Sequence, residues 1–228
     1  MSIILAIETS SELASCALLN GEQLISRSSS GVRTHSQSIL PMVQELLAEA
    51  GIALRDCDAI AFGSGPGSFT GVRTACGIAQ GLAFGAGLPV IPVVTLEAMA
   101  QSCRERTGAA DVLAVLDARM GEVYWAQYRY ADGWQVVAPP ALCAPQDVAP
   151  PSPATACGNG FSAYPEAFSI EALTEIMPHA GAVAQLAAVE LAAGRTVSPA
   201  DAQPLYLRNK IAFTSAERQA INAAKAAA

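Results

Sequence analysis

Charged side chains are scarce in this 228-residue chain, at 14% of positions, and 13 lysines and arginines are outnumbered by 20 aspartates and glutamates. With a formal net charge of −7 and no block of Lys and Arg to offset it locally, the long-range field repels phosphate backbones. This argues against nucleic-acid binding by the chain alone. Histidine is scarcer still, with only His35 and His179. A helix-borne metal site needs two ligands about one turn apart on one face, and one turn after His35 stands Ile39, which binds no metal. His35 therefore reads as a polar residue at a helix start, and no metal or other cofactor is expected.

No apolar run approaches the roughly 20 residues needed to cross a bilayer. The longest, from Leu82 to Leu96, is broken by Gly85, Gly87, Pro89 and Pro92. The apolar residues 3–7 follow no basic segment and precede no small-residue cleavage site, so they read as a mature strand. The six cysteines contain no Cys-x-x-Cys spacing and mostly sit in apolar runs, as Cys16 does. Reduced, buried thiols in a cytoplasmic protein are expected. Without a Gly-x-Ser-x-Gly elbow, a serine nucleophile has no supporting context either.

What the chain does have is a hydrophobic fraction of 52%, enough for a compact α/β core. Ile3-Ile4-Leu5-Ala6-Ile7 is a continuous apolar run, suited to a strand covered on both faces. Asn20-Gly21 joins two further strands, 13–19 and 23–28, as a hairpin. From Ser36 the period changes: Ile39, Leu40, Val43, Leu46, Leu47 and Ala50 form a helical stripe that Gly51 ends. Strands at 58–62 and 89–94 alternate with helices at 71–86 and from about Thr95. Residues 104–110 are polar and read as a boundary. Beyond it, strands at 112–116, 122–130 and 134–137, the last two turned by Asp132-Gly133, repeat the opening pattern. Residues 139–153, rich in Pro and Ala, read as a surface wrap with at most one helical turn at 145–148. An Ala-rich helix is expected at 180–193, closed by Gly194.

Gly63-Ser64-Gly65-Pro66-Gly67-Ser68-Phe69-Thr70-Gly71-Val72-Arg73 lies between a predicted strand and a predicted helix. Glycines there let backbone amides approach an anion at a helix N-terminus, although no Gly-Lys-Ser/Thr completes a Walker loop. The same glycines would serve equally for a tight turn. Glu8, Thr9 and Ser10 close the first strand, where they could contact phosphate or simply cap the strand. Asp117-Ala118-Arg119-Met120-Gly121-Glu122-Val123-Tyr124 turns between two strands, with Arg119 near Asp117 and Glu122, and reads equally as a charged, solvated hairpin or as a docking or ligand site. In the second helix Gly77, Gly81 and Gly85 recur every four residues on one face. Each costs roughly 1 kcal/mol against alanine, which suggests that close backbone approach is needed there.

These pieces together resemble the TsaB (YeaZ) family, TsaD-like proteins of bacterial threonylcarbamoyladenosine biosynthesis. The matching segments are 6–10, 34–41, 63–73, 117–124 and 204–208. The resemblance implies an actin-like ATPase or sugar-kinase (RNase H-like) fold with lobes at 1–104 and 105–213, the second reduced, and a frayed tail at 214–228. It further implies a non-catalytic subunit that pairs with a TsaD-like transferase and a TsaE-like ATPase and reaches tRNA only through that complex. Alone, such a chain would form a homodimer. Glu8, Thr9, Ser10, Gly65, Gly67 and Gly71 would then be vestiges of a phosphate loop, and Ile39, Val43, Gly77, Gly81 and Gly85 the partner surface. The rival readings are a small ATPase or carbohydrate kinase using Glu8 and the 63–71 loop, or a metallopeptidase, a label long attached to TsaD-like relatives.

Overall fold

A computed structural model describes residues 2–29 and 35–208; the expected tail at 214–228 lies outside them. The chain opens as an antiparallel meander of β1 (Ile3–Glu8), β2 (Ala14–Asn20) and β3 (Gln23–Ser29). Gly21, at φ 59°, supplies the left-handed turn that the Asn20-Gly21 pair predicts. β4 (Ala59–Gly65) then runs parallel to β1, and β5 (Val90–Val94) parallel to β4, giving the order β3-β2-β1-β4-β5.

Both faces of this sheet are covered, which is why β1 is apolar from Ile3 to Ile7. Leu5 and Ile7 face α1 (His35–Ala50) and α2 (Phe69–Ala86). Ile4 and Ala6 face α5 (Ala180–Ala192), whose alanines let it lie close to the strands. The second lobe of the sequence division therefore returns a helix to the first sheet. On α1 the stripe differs in one position. Leu40 is 45% exposed, and Met42 turns into the core in its place beside Ile39, Val43 and Leu46.

α3 (Thr95–Thr107) connects the halves, so residues 104–107, read from sequence as a boundary, are its last turn. Gly108, at φ 77°, ends it. A second sheet follows the path of the first. β6 (Asp111–Asp117), β7 (Val123–Tyr130) and β8 (Trp134–Cys143) form a meander, β9 (Thr155–Cys157) runs parallel to β6, and β10 (Ala172–Leu173) parallel to β9. The order is β8-β7-β6-β9-β10, the duplicated α/β layout that the sequence suggests, with shorter parallel strands. A helical turn, α4 (Gly160–Ala163), follows β9. Leu96, Met99 and Cys103 of α3 pack on Val112, Ala114 and Tyr128 of this sheet. The expected wrap at 139–153 is corrected in part. β8 extends to Cys143 through Pro139 and Pro140, which an edge strand tolerates because one side of its ladder is unpaired.

Candidate functional site

The end of β1 threads into the loop between β4 and α2, and the two segments close on each other. Glu8 is fully buried. Its Oε1 accepts from the Ser10 amide at 2.5 Å, Thr95 Oγ1 lies 3.5 Å from Oε2, and burial raises its carboxyl above the ordinary carboxylate range. A side chain at Gly63 would collide with that carboxyl group. One at Gly67 would fall 2.6 Å from Ser10 Cβ, and one at Gly71 would run into the Thr9 carbonyl.

Backbone and hydroxyl bonds complete the closure. The Ser68 amide donates to the Ser10 carbonyl at 2.7 Å, Thr9 Oγ1 donates to the Gly71 carbonyl at 2.7 Å, and the Gly65 amide donates to Thr95 Oγ1 at 3.1 Å. Gly65, at φ 107°, also lies against the Leu205 carbonyl, 2.9 Å from where a Cβ would sit. The structure thus brings Glu8, Thr9, Ser10, Gly65, Gly67 and Gly71 together around one closed loop. The missing side chains of Gly63, Gly65, Gly67 and Gly71 make room for Glu8, Leu205, Ser10 and Thr9 of the chain itself. Ser68 caps α2 by accepting from the Gly71 amide at 3.4 Å, a further use of the helix terminus by its own chain.

Beyond this plug, a cleft of about 600 Å³ opens between the sheets. Ser11, Glu12 and Phe69 line it on one side and Asp117, Met120 and Tyr124 on the other. Its charges are paired across the gap. Arg119 reaches Glu12 at 2.8 Å and Asp117 at 3.1 Å, so the expected approach of Arg119 to Glu122 is replaced by one to Glu12. Glu122 is taken by Arg208 at 2.5 Å. His35 stands at the start of α1 with Nε2 3.4 Å from the Glu12 carbonyl oxygen, and His179 caps α5 by accepting from the Gly181 amide at 3.1 Å. Among the described residues no three His, Cys, Asp or Glu side chains gather to hold a metal. Nor is any of their helices long and apolar enough to cross a membrane.

The other feature lies on the outer face of α2. Gly77, Gly81 and Gly85 are exposed, and a Cβ at any of them would meet nothing within 4 Å. The stripe therefore faces outward and does not pack on the chain's own sheet. Phe84 beside it is 83% exposed, and a groove of about 520 Å³ runs past Leu54, Gly81, Leu82 and Gly85. Ile39 and Val43, expected to meet a partner, are 0% and 3% exposed. They belong to the core, because a helical stripe records burial without saying against what. Sequence reasoning missed Phe84, whose exposure no periodicity signals, and the cross-cleft role of Glu12.

Known proteins agree with this architecture. The model of the TsaD family, tRNA N6-adenosine threonylcarbamoyltransferase, matches residues 19–219. The tRNA threonylcarbamoyladenosine biosynthesis proteins TsaB of Haemophilus influenzae and Escherichia coli are each 41% identical to this chain. The matches cover 92% of it and 95% and 96% of the relatives. The solved structure of YeaZ from Pseudomonas aeruginosa superposes with a TM-score of 0.85 at 40% identity, over 91% of this chain and all of that one. Identity of this level, sustained over nearly the whole of both chains, places the protein: it belongs to the TsaB (YeaZ) family.

Proposed function

We propose that the chain serves tRNA threonylcarbamoyladenosine biosynthesis as a subunit without chemistry of its own, docking through the outer face of α2 on a TsaD-like transferase and working beside a TsaE-like ATPase. The carrying observation is the open glycine stripe with Phe84 standing 83% exposed next to it. Three interior glycines weaken a helix, and here none of them makes room for the chain's own atoms. A second helix laid along the stripe gains close backbone approach, and Phe84 gains burial. The absence of own chemistry is supported by the closed loop, where Glu8, Ser10 and Thr9 occupy the room left by the side chains that Gly63, Gly67 and Gly71 lack. With a net charge of −7, the chain leaves tRNA to its partner.

Without the transferase the same face pairs two copies of this chain, so the two associations exclude each other. The test mixes purified chain with the TsaD-like and TsaE-like proteins of the same cell and measures threonylcarbamoyl transfer to tRNA. Transfer should require all three, and Phe84→Arg should abolish both capture of the transferase and transfer. Turnover by the chain alone that disappears in Glu8→Ala would refute the non-catalytic reading.

A further inference from the structure

Phe69, Arg73, Gly77, Gly81 and Gly85 stand four apart on α2, so the open glycine row continues at its N-terminal end into a cation and an aromatic ring. Arg73 is exposed, yet its head is fixed. Nε donates to the Tyr206 hydroxyl at 2.7 Å, and Cζ lies 3.7 Å from the centre of the Phe69 ring and 5.5 Å from that of Tyr206. Tyr206 is itself held from both sides. The Leu205 amide donates to the Ser64 carbonyl at 2.7 Å, and Leu207 packs on the core of the second sheet.

What this fixed group lacks is an anion. The chain carries 20 acidic residues, yet among the described residues none pairs with Arg73, and its two Nη atoms donate to no acceptor. A solvated arginine loses much rotamer freedom when it binds. Here Phe69 and Tyr206 have already ordered the guanidinium, and its Nη pair is left to grip both oxygens of a carboxylate. A second copy of α2 offers no such group. From Phe69 to Ala86 the helix holds no Asp or Glu, so two chains meeting along their glycine rows bring Arg73 to a helix without a carboxylate.

We propose that Arg73 receives an Asp or Glu side chain of the partner protein docked along α2, and that this ion pair favours an acidic partner surface over a second copy of the chain. The inference rests on the α2 docking proposed above and adds the partner's chemistry to it. A nucleic-acid phosphate would present oxygens of the same charge, but the net charge of −7 opposes a polyanion at this face.

The test compares Arg73→Gln with the wild type in calorimetric titration of the TsaD-like transferase and in sedimentation equilibrium of the chain alone. The Kd for the transferase should rise about ten- to hundredfold and lose most of its dependence on added sodium chloride, while the homodimer stays within about twofold. Tyr206→Phe, which frees the guanidinium, should weaken transferase binding less than Arg73→Gln does and leave the homodimer alone. Arg73→Lys, which keeps the charge without the fork, should recover only part of the loss. Wild-type affinity in Arg73→Gln, or equal weakening of both associations, would overturn the proposal. So would loss of tRNA binding by the assembled complex at an unchanged transferase Kd, which assigns the guanidinium to phosphate. Gly81→Leu keeps the two readings apart. If it leaves transferase capture intact, docking through α2 itself fails; if it weakens capture and Arg73→Gln does not, only the ion pair fails.

Discussion

Gly81→Leu separates docking from folding more sharply than any other single change. In the free chain an added Cβ at this position meets nothing within 4 Å, so the new side chain enters solvent without strain. Replacing an interior helical glycine by leucine gains about 0.8 kcal/mol of helix propensity, which at this chain length raises Tm by roughly 2–3 °C. In the associated state proposed above, the same isobutyl group would stand between the two backbones. Overpacking of this kind costs about 1–3 kcal/mol, a weakening of Kd on the order of ten- to hundredfold. Sedimentation equilibrium would follow the homodimer, calorimetric titration with the TsaD-like transferase the heterodimer, and a thermal melt the fold. The expected combination is a slightly higher Tm with both associations weakened together. A variant that melts lower than the wild type would refute the open-face geometry, and one that binds both partners at wild-type strength would refute the docking assignment.

Gly71→Ala should lower the urea midpoint by the equivalent of about 1–3 kcal/mol, since its Cβ enters the Thr9 carbonyl; an unchanged midpoint would mean that the loop can part from β1 after all. Burial, aided by the nearby Glu190, pushes Glu97 of α3 up to about 7, so the folded chain holds a proton there that the unfolded chain has released above about pH 4.3. Stability should accordingly fall as pH rises from 5 to 8, and Glu97→Gln should flatten that fall; equal urea-midpoint losses in the two proteins would contradict the assignment. The isolated chain, with net charge −7, should bind tRNA weakly and lose that binding steeply with added salt, and tight binding by filter assay at physiological salt would contradict the charge argument.

The two meanders were legible because their signals are local. An apolar run makes a doubly covered β1, and Asn20-Gly21 and Asp132-Gly133 make the turns, with Gly21 and Asp132 at φ 59° and 55°. β9 and β10 were not legible, because strands of three and two residues are too short to show a period. Pro139 and Pro140 misled because sequence does not say that β8 is an edge, the one setting where they fit. The site divided in the same way. Glycine density marked a loop needing close approach, yet whether Thr9 or an external phosphate makes that approach depends on a contact 62 residues apart. Ile39 was read as partner surface and is core, while Phe84, which immediately precedes Gly85 of the glycine stripe, carries no sequence mark of its exposure.

The placement of α5 has a consequence for how the chain is made. One face of the first sheet, with Ile4, Ala6, Ala17, Ala61 and Ile91, is covered chiefly by a helix that begins at Ala180. During synthesis that face emerges long before its cover. At about 5–20 residues per second the interval between completion of β5 and arrival of α5 is on the order of 10 s, ample for a nascent chain to meet other apolar surfaces. The ribosome therefore releases an N-terminal half that is hydrogen-bonded but greasy on one side. A pause or truncation within the second half leaves a fragment destined for chaperones or aggregates, and not a smaller working protein.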